Sequence, residues 1–135
     1  MKVFKHASAI WNGTVPAGTG SMKLGRAGEV LPFSLKSRVE DVPMTNPEEL
    51  IGAAHAGCFS MALSSLIEEE GKVPGTVETS AKVTLEQRDD GFWISEINLI
   101  TRGSNQAMTN DEFVALAEKA KTTCPVSKLY SSATI

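Results

Sequence analysis

Cysteine, histidine and tyrosine are all scarce in this 135-residue chain, at two, two and one. Two cysteines cannot build the disulfide framework of a small secreted scaffold. Together with His6 and His55 they also lack the short C-x-x-C or H-x-x-x-H spacing that preorganises zinc. His55 and Cys58 are three apart on one helical face, which is the only local hint of a metal site. His55 therefore reads as a core or supporting histidine, His6 as a strand residue, and no metal is expected. Clusters of Lys and Arg are missing too, and the net charge is −3. Nothing favours a nucleic-acid or anionic-membrane surface.

Long apolar runs are also absent. The opening MKVFKHASAIW has no apolar core of signal-peptide length. The least polar stretch, Ile51 to Ile67, is interrupted by His55 and serines, so no membrane span is expected. The expected location is the cytoplasm, where thiols stay reduced. No repeat, linker or low-complexity tract divides the sequence, which reads as a single domain over 1–135.

What is present reads as an α+β pattern. Lys2 to Trp11 is a first strand, and Asn12-Gly13 is a hairpin signal. Five glycines between Gly13 and Gly28 imply a loose hairpin or two short strands. Within them Gly18-Thr19-Gly20-Ser21-Met22-Lys23 matches neither the dinucleotide nor the phosphate-binding fingerprint, so it reads as turn chemistry. Phe33 to Val39 reads as another strand. Asn46 is a good N-cap, Pro47 suits the first helical position, and Glu49 completes a capping-box-like pattern. The helix predicted from there runs to about Glu70, with Gly71 as its stop. Its density of small residues, Gly52 to Gly57, predicts a central helix covered on several sides.

Thr76 to Gln87 alternates apolar and polar, Asp89-Asp90-Gly91 turns, and Phe92 to Thr101 returns. Thr109 and Glu112 form a capping box for a helix ending near Thr122, with Phe113, Leu116, Ala117 and Ala120 on one face. Cys124-Pro125 follows, and Ser131 to Ile135 is expected as a short last strand. Strands, helix, hairpin and helix define the α+β class.

The residues alone leave three readings of Cys58 and Cys124 open. A structural disulfide between them would stabilise the fold by about 4 kcal/mol in the chain-entropy model. Two inert buried thiols are the second possibility. In the third, one thiol attacks a substrate and the other resolves the product.

Two separated motifs resemble one family. Thr45 to Leu63, TNPEELIGAAHAGCFSMAL, is similar to the signature of the OsmC branch of the OsmC/Ohr peroxidases, the osmotically inducible and organic-hydroperoxide-resistance proteins. Lys119-Ala120-Lys121 to Cys124-Pro125-Val126-Ser127 resembles that family's second-cysteine motif. The resemblance implies antiparallel sheets around a long central helix in an intertwined homodimer, with sites at the subunit interface. It implies reduction of organic hydroperoxides without a bound cofactor, by Cys58 as the peroxidatic and Cys124 as the resolving cysteine. Glu48 corresponds to the site glutamate and Arg38 to the site arginine, with Arg26 as the second candidate. The implied reductant is an external dithiol or a lipoyl-bearing protein. Two positions depart from the pattern: Val39 stands where an aromatic is expected, and the sequence ends at Ile135 where the family continues a final strand.

The residue types suit the chemistry. Only a few per cent of an ordinary thiol is ionised at pH 7. A guanidinium supplies fixed positive charge and can bond the peroxide and its departing alkoxide, while a carboxylate can hold it in a forked pair. Glu48 and Cys58, ten positions apart on one helix, are separated by about 15 Å along its axis. Arg38 and Glu48 are therefore expected to act on Cys58 of the partner subunit. Phe33, Phe59 and Met61 are candidate pocket residues. Two rival functions are a cysteine hydrolase or acyltransferase pairing Cys58 with His55, and a non-enzymatic redox-sensing or ligand-binding dimer of the same fold.

Overall fold

The structure, a computed structural model, describes residues 1–26, 28–104 and 107–135. The chain divides into two compact units, Met1–Leu50 and Ile51–Ile135.

The first unit holds a three-stranded antiparallel sheet in the order β1-β2-β3, from β1 (Ala7–Asn12), β2 (Thr19–Leu24) and β3 (Val30–Phe33). Ala7 faces Leu24 and Asn12 faces Thr19, while Gly20 faces Phe33. The first strand starts later than the expected Lys2. The glycine-rich stretch predicted to be turn chemistry forms β2 instead. Gly20 explains why: a Cβ there would lie 2.5 Å from Phe33 Cε1, so only glycine lets the ring seat against the neighbouring strand. Trp11 packs on the same ring, with centroids 5.4 Å apart.

The expected strand over Phe33 to Val39 is not formed. Strand β3 ends at Phe33, and Leu35–Val39 is a short helix, α1. Ser34 and Ser37 form a reciprocal capping box: the Ser37 N–H donates to Ser34 Oγ, and the Ser34 N–H donates to Ser37 Oγ. Two serines three apart outweigh the apparent alternation of Phe33, Leu35 and Ser37. Arg38 therefore sits on a helical turn.

Helix α2 (Pro47–Glu69) begins as expected, with the Glu49 N–H donating to Asn46 Oδ1 at 2.8 Å. It ends in a Schellman arrangement. Gly71 adopts φ 71°, its N–H donates to Glu68 O, and the Lys72 N–H donates to Ile67 O.

In the second unit, β4 (Thr76–Arg88) and β5 (Gly91–Ser104) pair antiparallel, with one register shift at Thr84/Leu85. Thr109 and Glu112 cap α3 (Asn110–Thr123) reciprocally, as predicted. A further helix, α4 (Pro125–Leu129), follows directly. The C-terminal segment makes a parallel bridge, Thr134 to Glu96, in place of the expected short strand.

The core of this unit joins Phe59, Leu63, Leu66 and Ile67 of α2 to Ala120 and Cys124. By length and a hydropathy of 1.6, α2 could cross a bilayer, yet these apolar side chains are the core itself. The helix is not covered on every side within the chain. Ala53, Gly57, Met61 and Ser65 form an open stripe along α2, with Met61 78% exposed.

Leu63 is wholly buried, so Leu63→Ala is expected to cost about 2–5 kcal/mol, read as a lowered urea midpoint. Ser65→Ala, on the open stripe, should stay within about 0.5 kcal/mol of the parent.

Candidate active site

The structure brings the two cysteines together. Cys58, half-buried on α2, and Cys124, wholly buried, are both free thiols with their sulfurs 2.9 Å apart. Cys124 closes α3 and opens α4. Its N–H donates to Ala120 O at 2.9 Å, and its carbonyl accepts from the Lys128 N–H at 3.1 Å. Pro125 at the first position of α4 has no N–H to leave unpaired.

The two thiols are hydrogen-bonded to one another across the 2.9 Å contact. Burial pushes the Cys58 thiol up, and the neighbouring Cys124 pushes it the same way. Burial also opposes ionisation of Cys124, but hydrogen bonds from Cys58, from the Ser127 N–H and hydroxyl, and from the Val126 N–H outweigh it and bring that thiol down.

Arg38 and Glu48 also meet. Arg38 Nε and Nη2 donate to the same carboxylate oxygen, Glu48 Oε1, at 2.9 and 2.6 Å. The expected fork of two parallel bonds is thus replaced by two donors converging on one oxygen. Glu48 is buried and its Oε2 has no partner, whereas the Arg38 side chain remains 37% exposed. Arg26 lies exposed in the turn after β2; it is Arg38 that holds Glu48. Beside Arg38 is a cleft of about 220 Å³ lined by Trp11, Val15, Phe33, Ser34 and Leu35. Of the three candidate pocket residues, Phe33 lines this cleft, Phe59 is core and Met61 is exposed.

His55 is wholly buried, and burial pulls its pKa down, leaving a neutral ring. Its Nε2 is 2.7 Å from Ser127 Oγ, and its ring meets the Tyr130 ring edge-on at 5.6 Å. Nδ1 is buried without a hydrogen-bond partner. The Cys58–His55 pairing that a cysteine hydrolase needs is therefore not made: one ring nitrogen is taken by Ser127 and the other bonds nothing. Sequence reasoning missed Ser127 and Tyr130. The available signal was the three-residue spacing of Cys124 and Ser127 around Pro125, which places both at the start of α4. Among the described residues, no group of three or more His, Cys, Asp or Glu could hold a metal ion.

A sequence model of the family described as OsmC-like protein matches residues 40–135. Peroxiredoxin OsmC of Escherichia coli (strain K12) is 39% identical over 131 residues, spanning 96% of this chain and 91% of that protein. Organic hydroperoxide resistance protein OhrA of Bacillus subtilis (strain 168) is 35% identical over 89 residues, 64% of this chain and 60% of that one. The crystal structure of an organic hydroperoxide resistance protein OsmC from Legionella pneumophila has the same fold. It aligns with a TM-score of 0.75 at 22% identity, over 98% of this chain and 94% of that one. With its antiparallel strands, long α2 and paired thiols, the chain belongs to the OsmC-like protein family.

Proposed function

We propose that this protein is a cytoplasmic, homodimeric cysteine peroxidase that reduces organic hydroperoxides to alcohols. The observation that carries the proposal is the pair of reduced sulfurs 2.9 Å apart, one half-exposed and one enclosed. The names of its relatives, peroxiredoxin and organic hydroperoxide resistance protein, agree with it.

Cys58 is the attacking sulfur because a peroxide can reach it, whereas Cys124 is fully enclosed. Its thiolate attacks the terminal peroxide oxygen. An S–O bond forms, the O–O bond breaks, and the alkoxide leaves as alcohol once protonated. Cys124 then attacks the Cys58 sulfenic acid, forming the disulfide and releasing water. An external dithiol or lipoyl-bearing protein returns the two electrons.

The surroundings of Cys58 in its own chain raise its pKa, so its thiolate needs a cation. Arg38, oriented by buried Glu48, is the group suited to supply it. Helix α2 runs unbroken from Pro47 to Glu69, so Glu48 and Cys58 are about 15 Å apart along its axis. The cation is accordingly assigned to Arg38 of the partner subunit, and the open stripe at Ala53, Gly57 and Met61 to the subunit interface. The apolar cleft at Trp11, Phe33 and Leu35 suits the alkyl part of the substrate.

The test is consumption of cumene hydroperoxide by the wild-type protein with excess dithiol, beside a p-nitrophenyl ester control. Many turnovers per thiol pair without ester cleavage are expected. A single oxidation with no turnover would make the chain a redox sensor, and ester cleavage would make it a hydrolase.

A further inference from the structure

Among the described residues, His55 is the one buried titratable side chain that the peroxidase chemistry leaves without a task. An imidazole sealed from water with one nitrogen unbonded is a costly way to fill space, which a leucine would fill without a polar atom. We propose that His55 and Ser127 are positioning residues for the resolving thiol, with His55 fixing the Ser127 hydroxyl so that it donates to Cys124 Sγ. In its catalytic consequence the proposal rests on the peroxidase function above.

The partners of the ring assign its proton. Nδ1 has no acceptor, so a hydrogen there would be a buried donor bonding nothing. The hydrogen is therefore on Nε2, donating to Ser127 Oγ at 2.7 Å. That occupies a lone pair on the hydroxyl and leaves its own hydrogen to donate elsewhere. Ser127 is itself buried and stands one helical turn after Cys124, at the start of α4. The Ser127 hydroxyl is among the hydrogen-bonding groups that favour the ionised form of Cys124. Tyr130 packs edge-on against the ring, with centroids 5.6 Å apart.

The arrangement bears on the second chemical step. For the disulfide to form, Cys124 must lose its proton. Its sulfur then attacks Cys58 sulfenic acid; the S–S bond forms, the S–O bond breaks, and the departing hydroxide takes up that proton as water. A hydroxyl aimed at Cys124 stabilises its thiolate before the attack and holds the sulfur facing Cys58. His55 touches neither reacting sulfur in this scheme and acts only through Ser127.

The experiment has two arms. In the first, the full-length Cys58→Ser protein leaves Cys124 as the sole thiol, and its thiolate is titrated by absorbance near 240 nm. This arm needs no peroxidase activity. Ser127→Ala and His55→Phe are each expected to cut the Cys124 thiolate fraction near neutral pH by about tenfold, the loss of one hydrogen bond to a charged group. Ser127→Thr and His55→Gln, which keep a hydroxyl and a donor, should restore most of it. An unchanged titration in Ser127→Ala, or a shift in Ser127→Thr as large as in Ser127→Ala, overturns the proposal. If Ser127→Ala fails to fold, the His55→Phe and His55→Gln pair decides alone.

In the second arm, the two-cysteine protein receives one equivalent of cumene hydroperoxide. Ser127→Ala should form the trapped sulfenic acid at the wild-type rate but close the disulfide about tenfold more slowly. Equal slowing of both steps overturns the positioning role. Failure of the wild type to form sulfenic acid sinks the peroxidase function instead, leaving the first arm to stand.

Discussion

Cys58→Ser is expected to lower the steady-state rate of organic hydroperoxide reduction by about a thousandfold or more, since a serine hydroxyl is a far weaker nucleophile than a thiolate. Cys124→Ser should behave differently. The enclosed thiol contributes nothing to the first attack, and its presence beside Cys58 raises the pKa of that sulfur. Its removal should therefore leave formation of the Cys58 sulfenic acid within about threefold of wild type. The defect appears afterwards. With no second sulfur at 2.9 Å, the sulfenic acid waits for an external thiol or is oxidised further to the irreversible sulfinic state. Dimedone trapping and intact-mass measurement after one and ten equivalents of cumene hydroperoxide separate the two variants. Wild-type-like turnover in Cys58→Ser would remove the proposed chemistry at its first step.

The second large effect concerns the subunits. Arg38→Ala alone should lower the rate by about a hundredfold or more, because the missing cation stabilises charge both on the sulfur and on the departing oxygen. Mixed with Cys58→Ser under conditions that allow subunit exchange, the two inactive proteins should complement one another. If Arg38 serves Cys58 of the partner subunit, each mixed dimer carries one site with both changes and one site with neither. With random exchange half the dimers are mixed, so about a quarter of the wild-type rate should return. A site completed within one subunit gives no recovery at any mixing ratio. Exchange is monitored by native mass spectrometry, so an absence of recovery can be read only against a measured population of mixed dimers. Arg38→Ala also strands the buried Glu48 carboxylate, and a lowered urea midpoint by about 1–3 kcal/mol should accompany the kinetic loss.

Much of the fold was legible where local signals agree. The alternation of β4 and β5, the Asn46-Pro47 start and Gly71 stop of α2, and the Thr109–Glu112 box all appear as read. The failures share a cause: a short signal with two meanings. Ser34 and Ser37 read as alternation but cap a helix. Cys124-Pro125 read as the end of a helix, yet Cys124 closes α3 and caps α4 in one residue. Gly18 to Lys23 looked like turn chemistry because its glycines are demanded by a distant ring, Phe33, rather than by a bend.

The candidate site was legible only in part. The family resemblance named Cys58, Cys124, Arg38 and Glu48, but spacing along a chain cannot place two sulfurs in contact. The partner of His55 lies 72 positions away, beyond any local pattern. The acidities of the two thiols were the least legible, because they depend on which backbone N–H groups the start of α4 presents to Cys124.

The shared cap at Cys124 bears on how the proposed peroxidase would be recharged. With its N–H held by Ala120 and its carbonyl by Lys128, residue 124 has little freedom to carry its sulfur out to a visitor. In the proposed cycle, once the two sulfurs are joined, an incoming dithiol would meet the half-exposed side of the bond first, at position 58. The sulfur expelled would then be that of Cys124, whose ionised form the hydrogen bonds at the start of α4 favour. In the proposed cycle, the features that let the buried thiol close the disulfide would also direct its release.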